Sequence, residues 1–301
     1  MLWLLITILS YFFFALVSLI DRYLLAGPLP HPKVYAFYVG MLGLLALVLV
    51  PLGFYFPGIE NLFWSLLAGA VWILATYFLY LAIYHNEVSR VIPAINGLLP
   101  VLTYLILLIT SFEKGLIDWK YLLPLLFLIS GSVLITLKKP SLSLQDLKFP
   151  LMAAIFFAFG FLLMKRVYLT QPFISGFIWM RLGGVLMGIL FLGLGNIKEI
   201  VFQKKPITQK KVLLPFVFAQ VFSAGAFFLQ NYAVVLARLN QIPLINALEG
   251  TRYLFLLGLV FILAKKAPHL LKEEMEGRVL KQKLIATLLI IIGFAFLASL
   301  K

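Results

Sequence analysis

The chain has 301 residues, of which 63% are hydrophobic and only 12% are charged. Soluble globular domains are typically about half apolar and about a quarter charged, so this composition excludes a water-exposed globule, a disordered chain and a collagen-like chain. The sequence has no cysteine, which excludes a disulfide scaffold, and its net charge of +14 comes from short basic clusters between long apolar runs, as at lipid headgroups, rather than from a nucleic-acid-binding surface.

Ten apolar segments are long enough to cross a bilayer, because a helix rises about 1.5 Å per residue and the hydrocarbon is about 30 Å thick. In chain order they are 2–24, 33–55, 61–84, 88–110, 118–137, 149–168, 172–195, 212–236, 239–264 and 283–300. The first segment lacks a basic flank and a small-residue cleavage site, so we interpret it as a retained span. We therefore predict an all-α, multi-pass integral membrane protein of the cell (inner) membrane.

The two halves of the sequence resemble each other. Ile92–Leu98 (IPAINGL) recurs 150 residues later as Ile242–Leu248 (IPLINAL). Each half has five predicted spans, and because five is odd, the second half enters the bilayer in the opposite orientation. We predict a 5+5 inverted repeat made of residues 1–140 and 141–301. Such repeats build alternating-access transporters, with a site near the membrane midplane where the halves meet.

Four short motifs occur at defined places in the chain: Tyr77–Tyr84 at the end of the third span, Leu98–Leu102 in the fourth, Phe112–Lys114 in the link between the fourth and fifth with Gly131 following in the fifth, and Trp179–Leu182 in the seventh. Together they resemble the ten-helix EamA-type branch of the drug/metabolite transporter superfamily. The sequence departs from the family pattern at Phe112, where the family has glycine, and at Lys265 and Lys266, where an acidic residue is usual. The resemblance implies transport of a metabolite without selecting among amino acids, nucleotide sugars, sugar phosphates, amines and lipids.

Three ionisable side chains fall in the middle of predicted spans, where insertion costs about 2.5–3.5 kcal/mol each. They are Arg181 in the seventh span and Glu249 and Arg252 in the ninth. Glu249 and Arg252 are three residues apart and share a helix face. One interpretation is a structural ion pair that holds two helices in register. The other is a substrate site in which the surplus guanidinium binds a carboxylate or phosphate and a titrating Glu249 couples transport to a proton.

Five further polar side chains are candidates for substrate binding. Asn96 and Asn246 occupy equivalent positions in the two halves, where their amides can bond either a ligand or a neighbouring backbone. Gln220 in the eighth span and Tyr77 and Tyr80 in the third are placed to line the same cavity. The glycines between Gly183 and Gly188 instead fit close helix packing, since small residues let two helices approach.

Three functions are compatible with these features. The first is a secondary transporter of a small polar or amphipathic metabolite, with the substrate, membrane lipid and a coupling proton as partners and no nucleic acid. The second is a translocase (flippase) of a lipid-linked substrate, which predicts a lateral opening and an apolar groove. The third is an intramembrane lipid-modifying enzyme. Because the sequence lacks metalloprotease, Walker and nucleophile-elbow motifs, we expect no enzyme, no catalytic residue, no metal and no cofactor.

The orientation in the membrane has two opposing indications. Most Lys and Arg residues fall in the loops on the side opposite to the N-terminus, so the positive-inside rule favours both termini outside. The family resemblance implies both termini inside.

Overall fold

The computed structural model describes residues 2–26, 31–86, 88–110, 122–136, 144–193 and 210–252, with single positions and short runs in 198–201 and 254–296. The described residues form helices and no strand. Six helices are long and apolar enough to cross a membrane: Leu2–Leu25, Pro32–Leu52, Ile59–His85, Lys148–Thr170, Phe173–Leu192 and Val212–Leu236. The prediction of an all-α membrane protein is therefore confirmed.

The helices are α1 (Leu2–Ala26), α2 (Pro32–Met41), α3 (Ile59–His85), α4 (Val88–Thr110), α5 (Leu122–Thr136), α6 (Leu144–Thr170), α7 (Phe173–Leu192), α8 (Lys210–Leu236) and α9 (Ile242–Ala247), with 3-10 helices at Leu42–Leu52 and Leu239–Gln241. The six long spans coincide with six predicted segments. Helices α4 and α5 coincide with two more, although their apolar parts, Ala94–Leu107 and Leu122–Gly131, are shorter. Most of the predicted span 239–264 is described, and residues 239–252 form a 3-10 helix, α9 and a turn rather than one continuous helix, whereas most of 283–300 lies outside the described residues.

Proline and glycine set several helix boundaries. Helix α2 begins at Pro32, whose ring fixes a helical φ and whose missing N–H would have no partner in the first turn. Helix α6 ends before Pro172, because proline disfavours the helical conformation of the residue that precedes it. Gly53, with a φ of 123°, ends the first 3-10 helix in a conformation that other residues rarely adopt.

The second span changes from an α-helix to a 3-10 helix at Leu42. This 3-10 helix contains 11 residues, whereas runs longer than three or four residues are uncommon. Three residues complete one turn, so Leu42, Leu45 and Val48 lie in one line along it. The sequence analysis expected one continuous helix here, since the segment is apolar throughout and no periodicity separates the two helix types.

Helix packing places α7 at the centre of a tightly joined group. Helix α7 packs on α3, on α2 and on the first 3-10 helix. A Cβ atom on Gly69 of α3 would lie 1.7 Å from the carbonyl oxygen of Met180, and one on Gly183 of α7 would lie 2.1 Å from that of Leu66. Gly188 packs against Gly40 in the same way. The packing role predicted for the glycines between Gly183 and Gly188 is confirmed. Their contacts hold α7 close to α2 and α3.

Two cations near the ends of α1 and α6 bind the ends of other helices. Arg22, at the end of α1, donates from Nη1 to the carbonyl oxygens of Ile83 at 2.7 Å and Asn86 at 3.2 Å, where α3 ends. Lys165, near the end of α6, donates from Nζ to the carbonyl oxygens of Val234 at 3.1 Å and Ala237, where α8 ends. Each cation satisfies carbonyls that have no partner within their own helix and complements the helix dipole.

Replacing Lys165 with methionine is expected to lower stability by about 1–3 kcal/mol, because it leaves buried helix-end carbonyls without a donor. Arg166→Met is the matched control. Arg166 pairs with Glu60 at 3.0 Å, but their side chains are 48% and 77% exposed, so we expect less than about 1 kcal/mol. Thermal unfolding in detergent measures both variants. Equal losses would show that the buried contacts of Lys165 add nothing to stability.

Candidate functional site

A cavity of about 690 Å³ lies among the helices, and we call it the central cavity. Its walls come from α1, α2, the first 3-10 helix, α3, α6, α7, α8 and the segment Glu249–Arg252. Aromatic and aliphatic side chains form most of the wall, and a few polar groups interrupt it. Sites for small molecules typically combine this range of volume, an apolar wall and a few convergent polar groups.

The central cavity brings together five of the eight predicted site residues, from spans far apart in the sequence: Tyr80, Arg181, Gln220, Glu249 and Arg252. Tyr77, Asn96 and Asn246 are not among the described residues that line it. Tyr77 instead packs on Phe191 of α7, with ring centroids 5.3 Å apart. The two asparagines lie between helices, as described below.

Glu249 and Arg252 form a buried ion pair that also binds α1. Arg252 donates from Nη1 to Oε1 of Glu249 at 3.0 Å, and from Nε and Nη2 to the hydroxyl oxygen of Ser18 at 2.9 and 2.7 Å. The Ser18 hydroxyl in turn donates to the carbonyl oxygen of Phe14. The guanidinium is therefore well supplied with acceptors, and the pair both joins two helices and faces the cavity.

The backbone around this pair is irregular. Helix α9 ends at Ala247, and the N–H groups of Glu249, Thr251 and Arg252 then bond to carbonyl oxygens three residues back, at 2.9–3.1 Å. Non-helical backbone at membrane depth persists only where protein buries it or a cavity adjoins it. The α-helix is therefore interrupted at the charged pair, in a segment that protein buries and that adjoins the central cavity.

The two repeat-related asparagines join this irregular segment to α4. Asn96 of α4 donates from Nδ2 to the carbonyl oxygen of Glu249 at 3.0 Å. Asn246 of α9 donates from Nδ2 to the Thr103 hydroxyl of α4 at 2.7 Å. Each amide nitrogen therefore bonds the neighbouring segment, while the Oδ1 atoms of Asn96 and Asn246 are buried without a partner among the described residues.

Asp21 is a cavity residue that the sequence analysis missed. It is only 3% exposed, and it accepts a hydrogen bond from the Tyr35 hydroxyl. The Tyr35 ring stacks on Tyr80 with centroids 4.4 Å apart, and Gln220 lies within hydrogen-bonding reach of the same hydroxyl. Asp21 falls at the end of the first apolar run beside Arg22, where an acidic residue is expected at the membrane surface. The one sequence feature that links Asp21 to the site is its position on α1, three residues after Ser18, which binds Arg252.

Asp21 corrects the charge balance that the sequence predicted. Arg181 and Arg252 face two carboxylates in the cavity wall, Asp21 and Glu249, rather than one. The described lining therefore holds as many carboxyl groups as guanidinium groups. The two arginines differ in their partners, because Arg252 pairs with Glu249 and Arg181 pairs with neither carboxyl group.

Arg181 has no anionic partner among the described residues. Its guanidinium lies 5.2 Å from the centre of the Phe227 ring, which is a cation–π contact. Within the described part of the chain, no hydrogen bond or ion pair reaches it. Both cavity carboxylates already accept bonds, Glu249 from Arg252 and Asp21 from Tyr35. Arg181 thus presents an unmatched set of planar donors to the cavity, which suits a carboxylate or a phosphate.

No protein-family model matches the chain, and no curated protein matches it. Matches among solved structures number 27 chains. One of them, a crystal structure described only as that of a protein, is 14% identical, with a TM-score of 0.64 over 97% of this chain and 96% of that chain. At this identity the likeness shows the fold alone. This chain therefore has, over nearly its whole length, a fold that also occurs in an experimental structure.

Proposed function

We propose that the chain is a secondary transporter that moves a small polar or amphipathic metabolite across the membrane by alternating access. One observation carries the proposal: four charged side chains from helices far apart in the sequence line one cavity among membrane-spanning helices. Charges at this depth are costly and usually serve a substrate or ion pathway. The motifs that resemble EamA-type transporters support the same function, with the cell's inner membrane as the location.

The helix packing supports an inverted repeat of residues 1–140 and 141–301. If α1, α2, α3 and α4 correspond to α6, α7, α8 and α9, exchanging the two sets converts several of the main contacts into one another. The packing of α1 on α8 becomes that of α6 on α3, while α2–α7 and α4–α9 map onto themselves. The capping of α3 by Arg22 likewise becomes the capping of α8 by Lys165. Two similar halves can exchange conformations at similar energy, as alternating access requires.

Two contacts depart from this symmetry, that of α4 with α6 and that of α3 with α7, and the second supports a state open on one side. Helix α3 packs closely along α7, where Gly69 and Gly183 meet opposing backbone. The corresponding pair, α8 and α2, meets at the Phe216 ring, which lies 5.5 Å from that of Tyr35. Farther along, the central cavity separates α8 from the 3-10 helix that follows α2. In the proposed cycle, the closed pair opens as the open pair closes.

Uptake into proteoliposomes tests this function. Labelled amino acids, amines, sugar phosphates and lipid-like anions are offered with and without a proton gradient. For an anionic substrate, Arg181→Gln is expected to reduce uptake about 10- to 100-fold, because a hydrogen-bonded charge contributes about 1.5–3 kcal/mol. Arg166→Gln, on the exposed surface, is the control and should leave uptake unchanged. Equal uptake in wild type, Arg181→Gln and Glu249→Gln would remove these residues from the site.

A further inference from the structure

The exposed part of the cavity wall is entirely apolar. Among the described lining residues, the exposed ones are Leu45, Val48, Val217, Val221, Ala224 and Phe228. All six belong to two elements, the first 3-10 helix and α8. We call this set the lateral opening. The polar lining residues, including all four charged ones, are instead buried or half-buried.

The residues of the lateral opening form one line along each of the two elements. On the 3-10 helix, Leu45 and Val48 are one turn apart and lie in line. On α8, residues 217, 221, 224 and 228 follow the spacing of a single helical stripe. Both elements line the central cavity, and both lie within helices long and apolar enough to span the membrane. A slot with apolar edges at that depth adjoins lipid acyl chains rather than water.

One guanidinium group in the cavity wall, that of Arg181, has no hydrogen-bond acceptor among the described residues. Arg252 is occupied by Glu249 and Ser18, and Asp21 by Tyr35. Only Arg181, among the described charged residues of the wall, lacks such a partner. The side chains that share the wall near it are aromatic, including Phe177 and Phe227. The wall thus matches a molecule with one anionic group and an apolar body.

From these observations we infer that the substrate is an amphipathic anion that enters from the bilayer through the lateral opening and places its carboxylate or phosphate on Arg181. The inference rests on the proposed transport function and specifies its substrate class and route of entry. The volume of about 690 Å³ suits one such molecule, since pockets of about 300–1,000 Å³ hold drug-sized ligands. A strongly polar metabolite would have to pass the apolar edges unsolvated, whereas an alkyl chain passes them at no such cost.

The first test asks whether the lateral opening faces lipid, and it needs no substrate. The chain has no native cysteine, so Val48→Cys and Val221→Cys each accept a single nitroxide label. In lipid nanodiscs, we expect both labels to collide with oxygen, which concentrates in lipid, more than with a water-soluble nickel chelate. Leu5→Cys on the exposed face of α1 is the lipid reference, and Glu60→Cys is the aqueous reference. A preference for nickel at both positions would overturn the inference.

The second test measures binding by the quenching of Trp72, which lines the cavity. The probes are 12-bromododecanoate and 12-bromododecyl phosphate, with 12-bromododecanol as the neutral control. We expect saturable quenching that is lost in Trp72→Phe and about 10- to 100-fold tighter binding of an anion than of the alcohol. In Arg181→Gln this preference should disappear. Equal binding of anions and alcohol by the wild type, or a preference that persists in Arg181→Gln, would overturn the inference.

The two tests separate failure of the inference from failure of the transport function. Lipid-facing labels and anion-selective quenching without uptake in proteoliposomes would uphold the site and contradict transport. Gradient-driven uptake of a polar metabolite combined with nickel-accessible labels would uphold transport and contradict entry from lipid.

Discussion

Replacing Glu249 with leucine is expected to destabilise the protein by about 3–5 kcal/mol, because it leaves the buried guanidinium of Arg252 without its anion. Glu249 and Arg252 are 8% and 6% exposed, so water compensates little for the lost partner. A guanidinium also cannot escape the cost by losing its proton. The two bonds to Ser18 remain but supply no countercharge. Thermal unfolding in detergent, with reversible unfolding where it can be obtained, measures the loss.

The double variant Glu249→Leu with Arg252→Met is the control for this prediction. It removes both charges and keeps similar volume, so we expect it to be more stable than Glu249→Leu alone. Arg252→Met alone should cost less at acidic than at alkaline pH, because an isolated carboxyl can take up a proton. A double variant that loses the sum of the two single losses would show that the pair is not coupled.

Hydropathy predicted the six long spans because the bilayer fixes the length of each span. The boundaries 2–24 and 212–236 agree with the candidate spans Leu2–Leu25 and Val212–Leu236 to within one residue. Hydropathy carries no information on the kind of helix, however. The 3-10 helix Leu42–Leu52 is apolar at every position except for one glycine and one proline, so no pattern separates it from the α-helix before it.

The site was predictable where a residue is rare in its surroundings. Arg181, Glu249 and Arg252 stand out because charge is costly within an apolar span, and all three line the cavity. Asp21 did not stand out, since acidic residues are ordinary at the end of a span. Asn96 was ambiguous because its amide bonds a ligand or a carbonyl equally well, and tertiary structure alone selects the Glu249 carbonyl.

Gly69→Ala is expected to destabilise the protein by about 3 kcal/mol, at the upper end of the usual cost of overpacking. The added Cβ would lie 1.7 Å from the carbonyl oxygen of Met180, which is backbone and cannot rotate away. Helices α3 and α7 must therefore separate, and Arg181, one residue beyond Met180, moves with α7. We expect a lower unfolding temperature in detergent together with weaker anion-selective quenching of Trp72.

Alanine substitutions at Gly184 and Gly225 test whether the loss of stability depends on the space available to the added Cβ. On Gly184 the new atom would meet a side-chain carbon of Ile73 at 3.0 Å, which can shift, so the loss should be smaller than for Gly69. On Gly225 of α8 it would meet nothing nearer than Phe13 at 3.9 Å. Alanine there should stabilise the helix by about 0.5–1 kcal/mol, because glycine is the poorer helix former. If all three variants lost similar stability, helix flexibility rather than the close α3–α7 contact would explain the glycines. Losses graded in this order would identify the close α3–α7 contact as the reason for the glycines.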